Sequence, residues 1–236
     1  MLDRLDTSMR SQRRLLADVS HQLRTPITVV RGHLEVLHRT GEEDLAEVRE
    51  TLDIAIDELD QMSGLIERLL TLGRAMEADR LVLEDVALKE FLPPILDSVR
   101  VLGPREYRLD EIPAVTVHVD ATQLRGALSN LLDNAVRAAG EEGRVSLGSR
   151  RLGDGGVAIY VDDSGPGIAA AERASALERF SRPGARDEGG SGLGLAIAKA
   201  VALAHGGTID IDQSPALGGA RVSILLPAQA LRGVDR

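Results

Sequence analysis

An imidazole on a polar helix face, two amides one helical turn apart and two glycine-rich turns are the groups in this 236-residue chain that could do chemistry together. The first is His21, in Ser20-His21-Gln22-Leu23-Arg24-Thr25-Pro26. Apolar residues at Leu16, Val19, Leu23, Ile27, Val30, Leu34 and Leu37 fall in steps of three and four, which predicts a helix with one apolar stripe. His21 lies two residues from both Val19 and Leu23, so it points away from that stripe, and Thr25 shares its face. Pro26 has no amide hydrogen and deprives the Gln22 carbonyl of its partner, at a cost of about 3 kcal/mol in a helix interior. A bend beside His21 is expected. Neutral imidazole, with an ordinary pKa of ~6.5, is a nucleophile near neutral pH. On this stretch alone a solvated histidine beside a tolerated kink is an equally good reading.

The second group is Asn130-Leu131-Leu132-Asp133-Asn134-Ala135-Val136-Arg137. Asn130 and Asn134 share a helix face, and their amide oxygens are hard ligands suited to Mg²⁺. Arg137 stands about one turn beyond Asn134, where it can meet phosphate oxygens. The third group is Asp162-Asp163-Ser164-Gly165-Pro166-Gly167-Ile168, a turn after a strand, in which a carboxylate can accept a hydrogen bond from an exocyclic amine such as that of adenine. The last is Gly189-Gly190-Ser191-Gly192-Leu193-Gly194-Leu195, which opens a helix and offers backbone N–H groups and a helix dipole to phosphates. No Gly-Lys-Ser/Thr follows, so it is not a Walker loop.

These groups need scaffolds. After a turn at Thr40-Gly41-Glu42-Glu43-Asp44, a second helix carries Leu45, Val48, Leu52, Ala55, Leu59, Met62, Ile66 and Leu69 in a heptad pattern. Ile56, Leu65 and Leu70 widen the stripe beyond what one hairpin can bury, which predicts a symmetric dimer with a four-helix bundle. The hairpin is expected over 1–75 and a linker over 76–82, overlapping a charged stretch from Gly73 to Arg80. A second domain over 83–230 follows, with strands at 81–86, 115–119, 144–151, 157–161, 209–212 and 220–226 and helices at 89–101, 123–139 and 193–204. Asp120 is expected to cap the helix that Gly140 ends. Strands that follow one another directly favour α+β: a mixed sheet with helices on one face.

Composition narrows the classes. The formal net charge of −9 argues against a nucleic-acid partner, and the absence of cysteine excludes disulfides and thiolate chemistry. No apolar run approaches the ~20 residues that span a bilayer, and the start is not a signal peptide. The chain opens directly in helical periodicity, as a piece of a longer protein would.

In this order, the His21, Asn130, Asp163 and Gly192 stretches resemble the H, N, G1 and G2 boxes of bacterial sensor histidine kinases. Glu178-Arg179-Phe180-Ser181-Arg182 resembles their F box. The resemblance covers nearly the whole chain. It implies a dimerisation and phosphotransfer hairpin followed by a gyrase-like ATP-binding α/β sandwich. It further implies autophosphorylation by Mg-ATP, with transfer of the phosphoryl group to an Asp of a response-regulator receiver domain. Carried over, His21 matches the phosphoacceptor, Asn130 and Asn134 the Mg²⁺ ligands, and Arg137 the phosphate-binding basic position. Asp163 matches the adenine reader, with Gly165, Gly167 and Ile168 beside it; Gly190, Ser191, Gly192, Leu193 and Gly194 match the turn under the phosphates. Residues 169–188 match a mobile ATP lid, on which Arg182 and Arg186 are candidate phosphate contacts. The family further implies that the chain is the cytoplasmic portion of a membrane-anchored bacterial sensor. A nucleotide-binding ATPase module with a purely structural hairpin is the alternative.

Two departures stand out. Gln22 occupies the position after the histidine where Glu or Asp is usual; Gln can accept the Nδ1 hydrogen bond but cannot take the proton as Nε2 attacks, so slower phosphoryl transfer is expected. Gln22 and Thr25 also match the family's phosphatase motif, with Thr25 orienting water. Ala138 stands where an aromatic is frequent, which predicts a less enclosed adenine pocket.

Overall fold

The computed structural model describes residues 19, 23–37, 45–76, 81–103, 105–181 and 191–232. The chain divides into two compact units, Met1–Glu67 and Arg68–Arg236.

Residues 23–37 are helical (α1), and Pro26 sits inside this run without ending it. The helix α2 covers Leu45–Met76, and its last turns belong to the second unit. Ile27 and Leu34 on α1, and Leu52, Ile56, Leu59, Ile66 and Leu70 on α2, are exposed in the single chain. On α2 they recur at heptad spacing, so part of the apolar stripe seen in the sequence stands exposed, while Ala55 and Leu65 are buried.

In the second unit, β1 (Glu84–Ala87) leads into α3 (Leu88–Val99), followed by a 3-10 turn at Arg100–Leu102. Pro93 and Pro94 lie inside α3. The carbonyls they leave without helical donors belong to Lys89 and Glu90, both exposed, where water can serve them. Then come β2 (Glu106–Leu109), β3 (Thr116–Val119), α4 (Ala121–Ala139), β4 (Arg144–Arg151), β5 (Val157–Asp163), the short α5 (Arg173–Ala176), α6 (Gly194–Ala204), β6 (Thr208–Gln213), β7 (Ala220–Leu226) and β8 (Leu231–Arg232).

Five strands form one mixed sheet in the order β2-β4-β5-β7-β6, with β2 parallel to β4 and the other pairs antiparallel. A small sheet, β1-β3-β8, closes the chain ends of the domain. Helix α4 contacts α3, α6 and the strands β4 and β5, while α6 contacts β6 and β7, so the three helices form one layer on the large sheet. The strand alternation follows from this. Val145 and Leu147 of β4, Ile159 and Val161 of β5 and Val222 and Ile224 of β7 share one face with Asp163 and are buried. The opposite face carries Ser146, Tyr160, Asp162, Arg221 and Ser223 in register. The α+β class with a mixed sheet is as expected. Three elements, β2, α5 and β8, were not.

Candidate nucleotide site

Helix α4 is the wall on which the site is built. Asp120 caps it: Oδ1 accepts from the Gln123 amide at 3.0 Å, and Oδ2 accepts from the Val82 amide at 3.1 Å. Gly140 ends it at φ 73°. Leu124, Leu128, Leu131, Leu132 and Ala135 are buried. That anchoring leaves the adjoining face, with Asn130, Asp133, Asn134 and Arg137, at the rim of a pocket. Ser191, Gly192 and Gly194 line it from the other side, and Arg68 of α2 completes it.

The glycines are dictated by close approach. A Cβ on Gly194 would lie 2.7 Å from Asn134 Nδ2, so the start of α6 rests directly on that amide. Gly192 adopts φ 64°, and its carbonyl accepts from the Phe180 amide at 2.8 Å. Phe180 is itself in the left-handed region at φ 58°, uncommon for a non-glycine, so both sides of this contact are fixed. Asn130 donates from Nδ2 to the Gly126 carbonyl at 2.8 Å, which orients its amide.

Asp163 ends β5 and is buried. Its Oδ1 accepts from the Gly165 amide at 2.8 Å and the Ala220 amide at 3.1 Å. Burial raises its pKa above the usual carboxylate range; these two amides pull it back, and the neighbouring Asp162 adds to the rise. Gly165 packs so closely on the Ala138 backbone that a side chain there would collide with it. The turn after β5 therefore rests on the last turn of α4, at the position where Ala138 replaces the expected aromatic. Gly167 adopts φ 74°. Ile168 is half-buried, and its carbonyl accepts from Arg173 Nε at 3.4 Å.

One of the expected assignments changes in detail. Leu193 is fully buried, so its side chain belongs to the core, and Gly194 beside it reaches the pocket. Thr25 is exposed on α1. His21, Gln22, Arg182, Arg186 and Gly190 lie outside the described residues.

Three residues were missed. Asp133 lies in the pocket with a pKa raised by burial, against the lowering effect of Arg68 and then Arg137. Its place in the Asn-rich stretch was the available signal. Arg68 gave none. Gly219 is required because a Cβ there would run into the Asp163 carboxylate, and its amide donates to the Asp163 carbonyl at 3.1 Å.

The His Kinase A (phospho-acceptor) domain model matches residues 11–78, and the Histidine kinase-, DNA gyrase B-, and HSP90-like ATPase model matches residues 119–230. The chain is 38% identical over 244 residues to the signal transduction histidine-protein kinase/phosphatase MprB of Mycolicibacterium vanbaalenii, covering 97% of this chain and 49% of that protein. Among solved structures, a mycobacterial sensor histidine kinase MprB is 36% identical with a TM-score of 0.56, covering 61% of this chain and 97% of the other. The chain belongs to the bacterial two-component sensor histidine kinases. A histidine kinase ThkA, solved in complex with the response regulator protein TrrA, has a TM-score of 0.72 at 21% identity, covering 94% of this chain and 64% of the other, and shows the shared fold. The chain spans about half the length of the curated relatives it matches. Within this histidine kinase, the phospho-acceptor match contains His21, and the ATPase match contains α4 and both glycine-rich turns. Among the described residues, no helix is long and apolar enough to cross a membrane.

Proposed function

We propose that this chain binds ATP at the α4 pocket, phosphorylates His21 and passes the phosphoryl group to an aspartate of a response-regulator receiver domain. The observation that carries the reading is the closure of the Gly192–Gly194 turn onto Asn134, in a chain that also matches the phospho-acceptor domain. In the reaction, His21 Nε2 bonds to the γ-phosphorus, the bond to the ADP oxygen breaks, and the ring proton leaves to water, since Gln22 only holds the Nδ1 hydrogen bond. Asp163 accepts from the adenine amine, and Arg137 offsets phosphate charge. Most of the catalysis is positioning.

The pocket residues fit Mg²⁺: the amide oxygens of Asn130 and Asn134 and the Asp133 carboxylate are hard donors grouped at one rim. Asn130 and Asn134 would hold the ion, which when bound neutralises phosphate charge. The exposed heptad stripe on α2 supports a homodimer. The hairpin over 1–75 would then be the dimerisation and phosphotransfer domain, joined through 76–82 to the ATP-binding domain over 83–230. In the native protein these form the cytoplasmic portion of a membrane-anchored sensor. Thr25, exposed on its helix, would orient water for dephosphorylation of the regulator.

Incubation with γ-labelled Mg-ATP tests the reading. A labelled adduct that is acid-labile and base-stable, and that disappears in His21→Gln, is expected. Its absence from the wild type would leave only the ATPase module.

A further inference from the structure

We infer that Arg68, on the closing turns of α2, is a phosphate-binding residue of the nucleotide site. This rests on the ATP reading above. Arg68 belongs to the same compact unit as the pocket and lines it beside Asn130, Asn134 and Arg137. Its side chain is 22% exposed, so the guanidinium is drawn in toward the rim and is not spread on the surface. Two of its contacts there are long: Nη1 donates to Ser191 Oγ at 3.4 Å, and Nη2 stands 3.9 Å from Asp133 Oδ2.

Ser191 lies in the turn that faces the Asn134 wall, so Arg68 reaches across the mouth of the pocket to the strip where phosphates are expected. The chemistry of the rim fits an anion of several charges. Asp133 is a half-buried carboxylate in a pocket built for phosphates, and on its own it would repel them. Arg68 and Arg137 are the two cations that act on it. A guanidinium offers a planar fork that matches two phosphate oxygens, and a phosphate at 2.7–2.9 Å is a better partner than a serine hydroxyl at 3.4 Å. Asp133 and Ser191 hold the fork at the rim, and the polyphosphate takes it over. Nucleotide affinity thereby depends on a side chain of the helix that runs back into the hairpin.

Dissociation constants for Mg-ATP, Mg-ADP and adenosine, measured on the full chain by calorimetry or competition, test this. Arg68→Ala should weaken ATP and ADP about tenfold, the loss of one charge-assisted hydrogen bond. Adenosine should stay within about twofold, which also reports that the variant is folded; Arg68→Lys should restore part of the loss. Equal weakening of ATP and adenosine, or unchanged ATP affinity in Arg68→Ala, would overturn the assignment and leave Arg68 a structural residue. A wild-type chain that binds adenosine but gains nothing from the phosphates would overturn it as well. A chain that binds neither would instead remove the ATP reading on which it rests.

Discussion

Asp162 and Arg221 meet across β5 and β7 as a two-pronged ion pair, with Arg221 Nε 2.6 Å from Oδ1 and Nη2 2.7 Å from Oδ2. Asp162 is fully buried, Ser214 Oγ donates to its Oδ2 at 2.8 Å, and the Arg221 guanidinium lies 4.0 Å above the Tyr160 ring. Asp162 adjoins Asp163 at the end of β5. Removing Arg221 leaves a buried charge with one hydroxyl partner. Arg221→Ala should therefore cost about 3 kcal/mol of stability, read as a lower midpoint in urea denaturation. Loss of less than ~1 kcal/mol, the range of surface pairs, would mean water replaces the arginine.

The raised pKa of Asp163 carries a sign. On the ATP reading proposed above, the form that accepts the adenine amine is the carboxylate, and protonation abolishes it. Because burial lifts the folded pKa, protonation on acidification begins at a higher pH than for an ordinary aspartate. ATP affinity should fall with decreasing pH from that point, with full affinity above it. Asp163→Asn should bind ATP weakly and lose this acid limb; titrations of affinity against pH on both proteins check it.

Gly219 is buried against Asp163 and the Gly165 amide. The methyl group of Gly219→Ala has no room unless one of them moves, an overpacking cost of about 1–3 kcal/mol. Displacing Asp163 should raise the ATP dissociation constant by about tenfold or more, whereas Gly218→Ala, with nothing near its Cβ, should act only through its φ of 87° on stability. Calorimetry on the two variants separates these effects.

Gln22→Glu should speed autophosphorylation, since a carboxylate can take the Nδ1 proton. General-base help is typically worth about 10²–10⁴-fold, and a gain at or below the lower end is expected, since water can take the proton in the wild type. Initial rates of label incorporation at saturating ATP are the measurement. An unchanged rate would show that proton removal by residue 22 does not limit the reaction.

Much of this arrangement is legible in the amino-acid sequence. Asp120 and Gly140 marked both ends of α4, and the four-residue spacing of Asn130 and Asn134 put them on one rim. The two glycine turns were readable because glycine is needed wherever backbone must approach closely. β2 was not legible. Glu106-Tyr107-Arg108-Leu109 is short, half polar and at the sheet edge, and its partner β4 lies on the far side of α4 in sequence. Arg68 was hidden for a similar reason: a heptad pattern marks the apolar positions of α2 and does not single out one arginine on its flank. Gly219 read as part of an ordinary turn, because the carboxylate that forbids its side chain comes from a distant strand.

The division of the large sheet into an apolar face under the helices and a charged face opposite bears on how the strands find one another. Val157-Ala158-Ile159-Tyr160-Val161 of β5 is nearly apolar throughout, so burial alone discriminates poorly between neighbouring alignments with β7. A one-residue slip of β7 along β5 would send Arg221 under the helices and turn Ile224 to the polar side, parting Arg221 from Asp162, which stays on its own face. The two-pronged pair as it stands needs this alignment, and a one-residue slip parts its two charges. It thus adds to the cost of a slipped register, and Arg221→Ala should lower that cost as well as the stability.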